Sequence, residues 1–220
     1  MKLRIFLFLL FLIGAGVIAG VAMADTEEPK YSVVETYDDW ELRRYNPTIE
    51  ARVIVKGAFR PSVSAGFRLL AGYIFGNNRL PDTEQSQKIA MTAPVSAAPT
   101  TTTSPGEPSQ WTITFTMPSS FKMSTLPQPL DSRVTIHQTK GGLFAAKRFS
   151  GKVKTPENWS VHDTSVRTAL SEKGLAANGA TLTAQYNGPW VPGPFRRNEV
   201  LIPVGCVDDA DSRCLEQKSE

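Results

Sequence analysis

Apolar and polar residues alternate most strictly over Trp111–Met117. Trp111, Ile113, Phe115 and Met117 fall on one side, and Thr112, Thr114 and Thr116 on the other. A period of two predicts a strand with one apolar face. Weaker versions of the pattern predict strands over Tyr31–Glu35, Trp40–Tyr45, Ile49–Val55, Lys88–Val95, Arg133–Gln138, Leu143–Phe149, Thr181–Tyr186 and Asn198–Ile202. The period changes twice. Val63, Phe67, Leu70, Ala71 and Ile74 recur at helical spacing, with Ser62 as a usable N-cap and Gly76-Asn77-Asn78 as a stop. Trp159, His162, Val166, Ala169 and Leu170 share one face of a second helix. That helix starts at Thr155-Pro156, where proline is tolerated in the first turn, and Gly174 closes it.

The punctuation between these runs is equally informative. Gly57–Pro61 reads as a turn, Ala97–Ser109 as a low-complexity hairpin loop and Gly141-Gly142 as a tight turn. Pro118–Pro129 is irregular. The order strand–strand–helix–strand–strand therefore occurs twice, as a duplication of elements rather than of sequence. Two such halves predict an α+β fold: an eight-stranded, curved, barrel-like, mostly antiparallel sheet carrying two helices, with grooves between helix and sheet.

The ends of the chain differ from this body. Residues 1–24 read as a signal peptide: Lys2 and Arg4, an apolar run over 5–22, and Ala22-Met23-Ala24 before Asp25. The same run is long enough at the limit to be kept as an N-terminal membrane anchor or tether. Either way the body is expected outside the cytoplasm, periplasmic or secreted. Residues 25–30 read as a linker, 31–204 as the folded domain and 205–220 as an acidic tail. Cys206 and Cys214 lie where a short disulfide staple is expected in an oxidising compartment. Asn158-Trp159-Ser160 matches a glycosylation sequon. Without Lys2 and Arg4 the basic residues fall from 24 to 22 against 21 acidic ones, a net charge of +1. A near-neutral domain is not expected to bind nucleic acid, which requires phosphate neutralisation.

Catalytic patterns are absent from the sequence. There is no G-x-S-x-G, no H-E-x-x-H and no phosphate-cradling Gly-Lys-Ser/Thr motif, and the chain has only two histidines. The expectation is a binding protein and not an enzyme. One stretch asks for a role of its own. In Tyr186-Asn-Gly-Pro-Trp190-Val-Pro-Gly-Pro-Phe195-Arg-Arg-Asn-Glu199-Val-Leu-Ile202, prolines and glycines stiffen a loop that holds aromatics and paired arginines over the end of a sheet.

Together with Lys88-Ile-Ala-Met-Thr-Ala-Pro-Val95 and Phe115-Thr-Met-Pro-Ser-Ser-Phe121, this stretch resembles the SOUL family of heme-binding proteins. The likeness runs from about Tyr31 to Val204. It implies the duplicated architecture above, a likeness in fold to effector-binding domains of bacterial transcription regulators, and a heme or related tetrapyrrole as non-catalytic ligand. It also implies that the ligand lies between the first helix and late-chain loops. A porphyrin needs an apolar slot with cations at its mouth. On that basis Val63, Phe67, Leu70 and Ile74, with Arg68 at the helix edge, are expected to form one wall. Trp190 and Phe195 form the other, and Arg196 and Arg197 meet the propionates. An iron ligand is not fixed. His162 reads as a core histidine and His137 as solvent-facing, while Tyr45 and Met91 remain alternatives. The function expected is an exported tetrapyrrole carrier, buffer or scavenger. The alternative is a general small-ligand or protein-interaction module on the same fold without heme.

Overall fold

A computed structural model of the chain describes residues 26–100, 109–206 and residue 213. The leader and Cys214 lie outside the described residues. The strands are β1 (Tyr31–Thr36), β2 (Glu41–Tyr45), β3 (Ile49–Lys56), β4 (Asn78–Arg79), β5 (Val95–Pro99), β6 (Gln110–Thr116), β7 (Gln128–Pro129), β8 (Thr135–Gln138), β9 (Gly142–Phe149), β10 (Leu175–Ala177), β11 (Leu182–Gln185) and β12 (Asn198–Cys206). Helix α1 covers Phe59–Ile74 and α2 covers Glu157–Glu172. A short 3-10 turn, Gly193–Phe195, precedes β12.

The main sheet runs β1-β2-β9-β12-β11-β5-β6-β3-β8, with β10 added to β12, and its strand pairs are antiparallel. Its order is palindromic about the β11–β5 pair. One half is β2-β3-α1-β5-β6 and the other β8-β9-α2-β11-β12, so the expected duplication is present. Each half lends its first strand to the other: β2 pairs with β9, and β8 with β3. That exchange ties the halves together and curls the sheet into a half-barrel. Strands β1 and β10 extend the eight that the duplication predicts.

Both helices pack on one face of the sheet. The alternation in β6 decides which residues point there: Trp111, Ile113 and Phe115 join the main core, with Leu42, Val53, Leu143, Val200 and Ile202 from neighbouring strands. Phe59 of α1, Trp111 of β6 and Trp159 of α2 form an aromatic cluster with ring centroids 4.6–6.3 Å apart, locking the helices to the sheet between them.

Three local readings are corrected. Helix α1 begins at Phe59 rather than after Ser62, because burying Phe59 in the aromatic cluster favours an earlier start and Pro61 still sits in the first turn. Lys88–Pro94 is irregular; strand β5 starts at Val95 and continues to Pro99 inside the expected loop. Pro94 cannot donate to a ladder, and the amides of Ile89 and Ala93 bond instead to the carbonyls of Ile74 and Glu27. The supposed linker is part of the fold, since Glu27 bridges Thr92 and its carboxylate accepts from the amide of Ser119 at 2.8 Å.

The side of α1 that meets the sheet is also rotated. It is centred on Ser62, Gly66, Leu70 and Tyr73, with Val63 and Phe67 on its flank. Small residues set this rotation: a Cβ on Gly66 would lie 2.8 Å from Ile113 and 3.0 Å from Val53. Gly72, on the same helix, has nothing within 4 Å of such an atom. Gly66→Ala should therefore destabilise the fold by about 1–3 kcal/mol through overpacking. Gly72→Ala should stabilise it by about 0.5–1 kcal/mol through helix propensity. Urea denaturation of the two variants reads the opposite signs.

Candidate functional site

The face of the sheet opposite the helices curls around a groove of about 440 Å³. That volume lies within the range of about 300–1,000 Å³ typical of small-ligand sites. Its floor is polar but uncharged, built from Thr112, Thr114 and Thr116 of β6 and Ser96 of β5. These are the threonines left over from the alternation that sends Trp111, Ile113 and Phe115 to the core. One wall is apolar: Tyr45, Phe144, Leu182, Tyr186, Leu201 and Pro203. A second, small core of Ala146, Ala184 and Leu201 backs it. The opposite rim carries Glu50 and Arg52, paired at 2.7 Å. A second groove of about 350 Å³ adjoins the first, and Pro29 lines both.

At the end of the apolar wall is a buried charge cluster. The side chain of Glu199 is 1% exposed. One of its oxygens accepts from the Arg43 guanidinium at 2.9 Å and from the Tyr186 hydroxyl at 2.8 Å. The other accepts two bonds from Arg197, at 3.2 and 3.1 Å. Arg43 also donates to Glu41 at 2.7 Å and to the Tyr45 hydroxyl at 3.3 Å. Arg197 reaches Glu28 at 2.9 Å and stacks on the Tyr186 ring at 3.7 Å. Burial alone would raise the Glu199 pKa, but Arg43, the Tyr186 hydroxyl and Arg197 outweigh it and hold the carboxyl below its ordinary value. Burial pushes the Tyr45 phenol up to about 12 and the Tyr186 phenol higher still. Both rings line the groove while their hydroxyls bond into the charge cluster.

The residues expected to form a slot are not gathered in one place. Leu70 and Ile74 are sealed in the main core, because they lie on the side of α1 pressed to the sheet. Val63 is half-buried against that core. Phe67 stacks edge-on against Phe115 at 5.7 Å, and Arg68 is exposed. Trp190 and Phe195 are each 79% exposed. Arg196 grips its own loop, donating to the carbonyls of Val191 at 2.8 Å and Pro189 at 2.6 Å. Arg197 belongs to the Glu199 cluster. None of the nine lines either groove.

The candidate iron ligands divide by face. His162 stacks on Phe149 on the helix side, at 4.5 Å, and burial followed by the nearby Lys147 charge lowers its pKa. His137 pairs with Glu50 across β3–β8, so it shares the groove face at the outer strand, where it is exposed and 2.9 Å from the Thr135 hydroxyl. Met91 is 38% exposed in the irregular segment before β5, not inward on a strand. The groove lining holds no histidine, cysteine or methionine. Among the described residues no group of three His, Cys, Asp or Glu side chains could hold a metal ion. The lining thus offers a planar ring one apolar wall, and of the four candidate iron ligands Tyr45 alone lines it, with its hydroxyl accepting from Arg43 at 3.3 Å.

A family model described as "SOUL heme-binding protein" matches residues 26–203. The chain belongs to the SOUL family. Among curated relatives, heme-binding protein 2 of Mus musculus is 28% identical over 181 residues, covering 80% of this chain and 85% of that protein. The Homo sapiens protein of the same name is 30% identical over 165 residues, covering 74% and 77%. Among solved structures, the C-terminal domain of EcmrR is similar with a TM-score of 0.56 at 10% identity, covering 80% of this chain and 99% of that domain, a likeness of fold alone. The half-barrel of this SOUL protein gives the groove a lining that was not singled out from the sequence. In the sequence Thr112, Thr114 and Thr116 are no more than the polar side of an alternating strand. Their position on a strand bordered by two others makes them a groove floor instead.

Removing Arg43 leaves a buried carboxylate short of one partner, so Arg43→Ala should cost about 3–5 kcal/mol. The depressed pKa of Glu199 means that its stabilising contribution is complete above the ordinary value of 4.5 and lost as pH falls through the folded-state value. The stability gap between the wild type and Glu199→Gln should therefore be widest near neutrality and close in acid. Urea denaturation across pH measures both.

Proposed function

We propose that this SOUL protein is an exported tetrapyrrole-binding protein that captures a heme-like ring in the groove on the open face of its sheet and carries, buffers or scavenges it without transforming it. The observation that carries this reading is the groove itself. Tyr45, Phe144, Leu182, Tyr186 and Leu201 present an apolar wall to a flat ring, and hydroxyls form the floor. The names of its relatives and family support the choice of ligand. Export rests on the leader-like run at residues 5–22 and on nothing in the folded body. Capture is by the ring faces. Arg52 is the cation on the groove rim that can meet a propionate, in exchange with Glu50.

This places the ligand on the face opposite α1, away from the slot expected between α1 and the late loop. The two locations give different mutational signatures. Hemin and metal-free protoporphyrin are titrated side by side, following the Soret band. Ser96→Phe, which fills the floor, and Leu182→Arg, which breaks the wall, should each weaken both ligands by about tenfold or more. Arg196→Ala should leave both titrations unchanged, and His162→Ala should leave the hemin spectrum unchanged. Loss of binding with Arg196→Ala but not with the groove variants would return the ligand to the loop. The uncharged hydroxyl floor favours one alternative, a general small-ligand module. Equal affinity for planar aromatics and unrelated amphipaths would support it over a tetrapyrrole site.

A further inference from the structure

Trp190 and Phe195 are the most exposed large apolar side chains among the described residues, each at 79%. They sit on one loop, and several restraints hold that loop in shape. Val191 donates to the Gly188 carbonyl at 3.2 Å, Phe195 to Pro192 at 3.0 Å, and the Arg196 amide to Gly193 at 3.0 Å. The Arg196 side chain ties the carbonyls of Pro189 and Val191 from the other side. The Trp190 indole lies over Gly188, where a Cβ would come within 2.3 Å of the ring. The base of the loop is fixed to the body, because the Gly151 amide donates to the Gly193 carbonyl at 3.0 Å. A tip held this firmly keeps both aromatics out in water, at a cost that a disordered loop would avoid by collapsing. Exposed aromatics of this kind mark an interaction surface.

The charge around the tip selects the partner. Among the described residues Arg196 is bonded to carbonyl oxygens and to no carboxylate, so its charge is not cancelled. Lys152 is exposed, and its Cγ lies 3.5 Å from where a Gly193 Cβ would be. Lys154 is exposed two residues on, with Glu157 as the nearest acid in the chain. An amphipathic indole and an apolar phenyl ring beside uncancelled cations match the headgroup zone of an anionic bilayer, where indole rings settle, apolar rings reach the acyl boundary and basic side chains meet lipid phosphates.

We infer that the loop Gly188–Arg196 is a membrane-docking tip that inserts Trp190 and Phe195 into the interface of an anionic bilayer, with Lys152 and Arg196 against the headgroups. No residue of the tip lines either groove. This inference does not depend on what the groove holds.

Tryptophan emission provides a position-specific test in the full chain. Trp40, Trp111 and Trp159 are 6–7% exposed, which leaves Trp190 as the accessible indole among the described residues. Because residues 5–22 can partition into lipid by themselves, the readout is quenching of Trp190 and not binding. Vesicles of phosphatidylcholine with phosphatidylglycerol, brominated in the acyl chains, should quench the wild type and shield it from aqueous acrylamide. Trp190→Phe should abolish the quenched component. Phe195→Ser should require about tenfold more lipid for half-maximal quenching, and Lys152→Glu or high salt should weaken quenching on the anionic vesicles. Vesicle-bound protein with Trp190 unquenched and open to acrylamide overturns the inference. Equal quenching on pure phosphatidylcholine overturns the anionic assignment. Shielding of Trp190 without lipid, in proportion to protein concentration or on adding hemin, gives the tip to a second copy or to the ring instead.

Discussion

The buried carboxylate of Glu199 holds together the parts that make a groove possible. It lies on β12, and its partners come from β2 (Arg43), from the end of β11 (Tyr186) and from the residue before β12 (Arg197). Arg197 then reaches Glu28 in the N-terminal segment. A carboxylate removed from water is costly unless its lone pairs are occupied by donors, and here two guanidiniums and a phenol occupy them. Satisfying that one group fixes the relative positions of two strands in one half, one strand lent by the other half, and a segment that precedes the first strand. The rings of Tyr45 and Tyr186 are oriented by the same bonds, so the apolar wall of the groove is shaped by a polar cluster at its end.

A second constraint comes from the helices. With α1 and α2 both on one face, the apolar halves of the alternating strands must point that way, and the other halves define what the open face can be. In β6 that remainder is threonine, and in β12 it is Leu201 and Pro203 at the groove, with Glu199 in register on the same side and bonded to Arg43 and Tyr186. Curling of the sheet then turns a row of modest side chains into a concave surface. The strand exchange between halves prevents the curl from relaxing, since β2 and β8 each pair with a strand of the other half.

The elements were legible in the sequence for physical reasons, and the site was not for equally physical ones. Alternation in β6 and helical spacing over Val63–Ile74 report local periodicity directly, so strand, helix and duplicated order follow from them. Which side of α1 meets the sheet depends on how closely two backbones approach. Ser62 and Gly66 decide that by being small, a signal that a count of apolar residues passes over. Leu70 and Ile74 therefore became core, and Phe67 a flank. The adjacent arginines make the same point at shorter range. Arg196 ends a turn and bonds back to its own loop, whereas Arg197, the residue before β12, joins a cluster closed by Glu28, far away in the chain. Residues side by side in sequence leave an extended backbone in opposite directions, so a pair of cations is two separate assignments and not one.

The aromatics of the late loop show where local and global arguments part. Proline and glycine were sufficient to read Gly188–Arg196 as stiff, and the structure shows how that stiffness is used: Arg196 and the turn bonds hold Trp190 and Phe195 outward, where a flexible loop would let them fold back onto the body. A slot for a ring needs two opposed walls, and a convex tip supplies one surface only. Concavity arises elsewhere, from the curl of the sheet, through side chains that are individually unremarkable. The concave groove and the convex tip are two regions flanking one strand: Arg197 joins the tip to β12, which carries Leu201 and Pro203 on the groove wall. The tip adjoins the groove at both ends: Tyr186, two residues before Gly188, lies on the groove wall, and Arg197, directly after Arg196, stacks on the Tyr186 ring and bonds to Glu199.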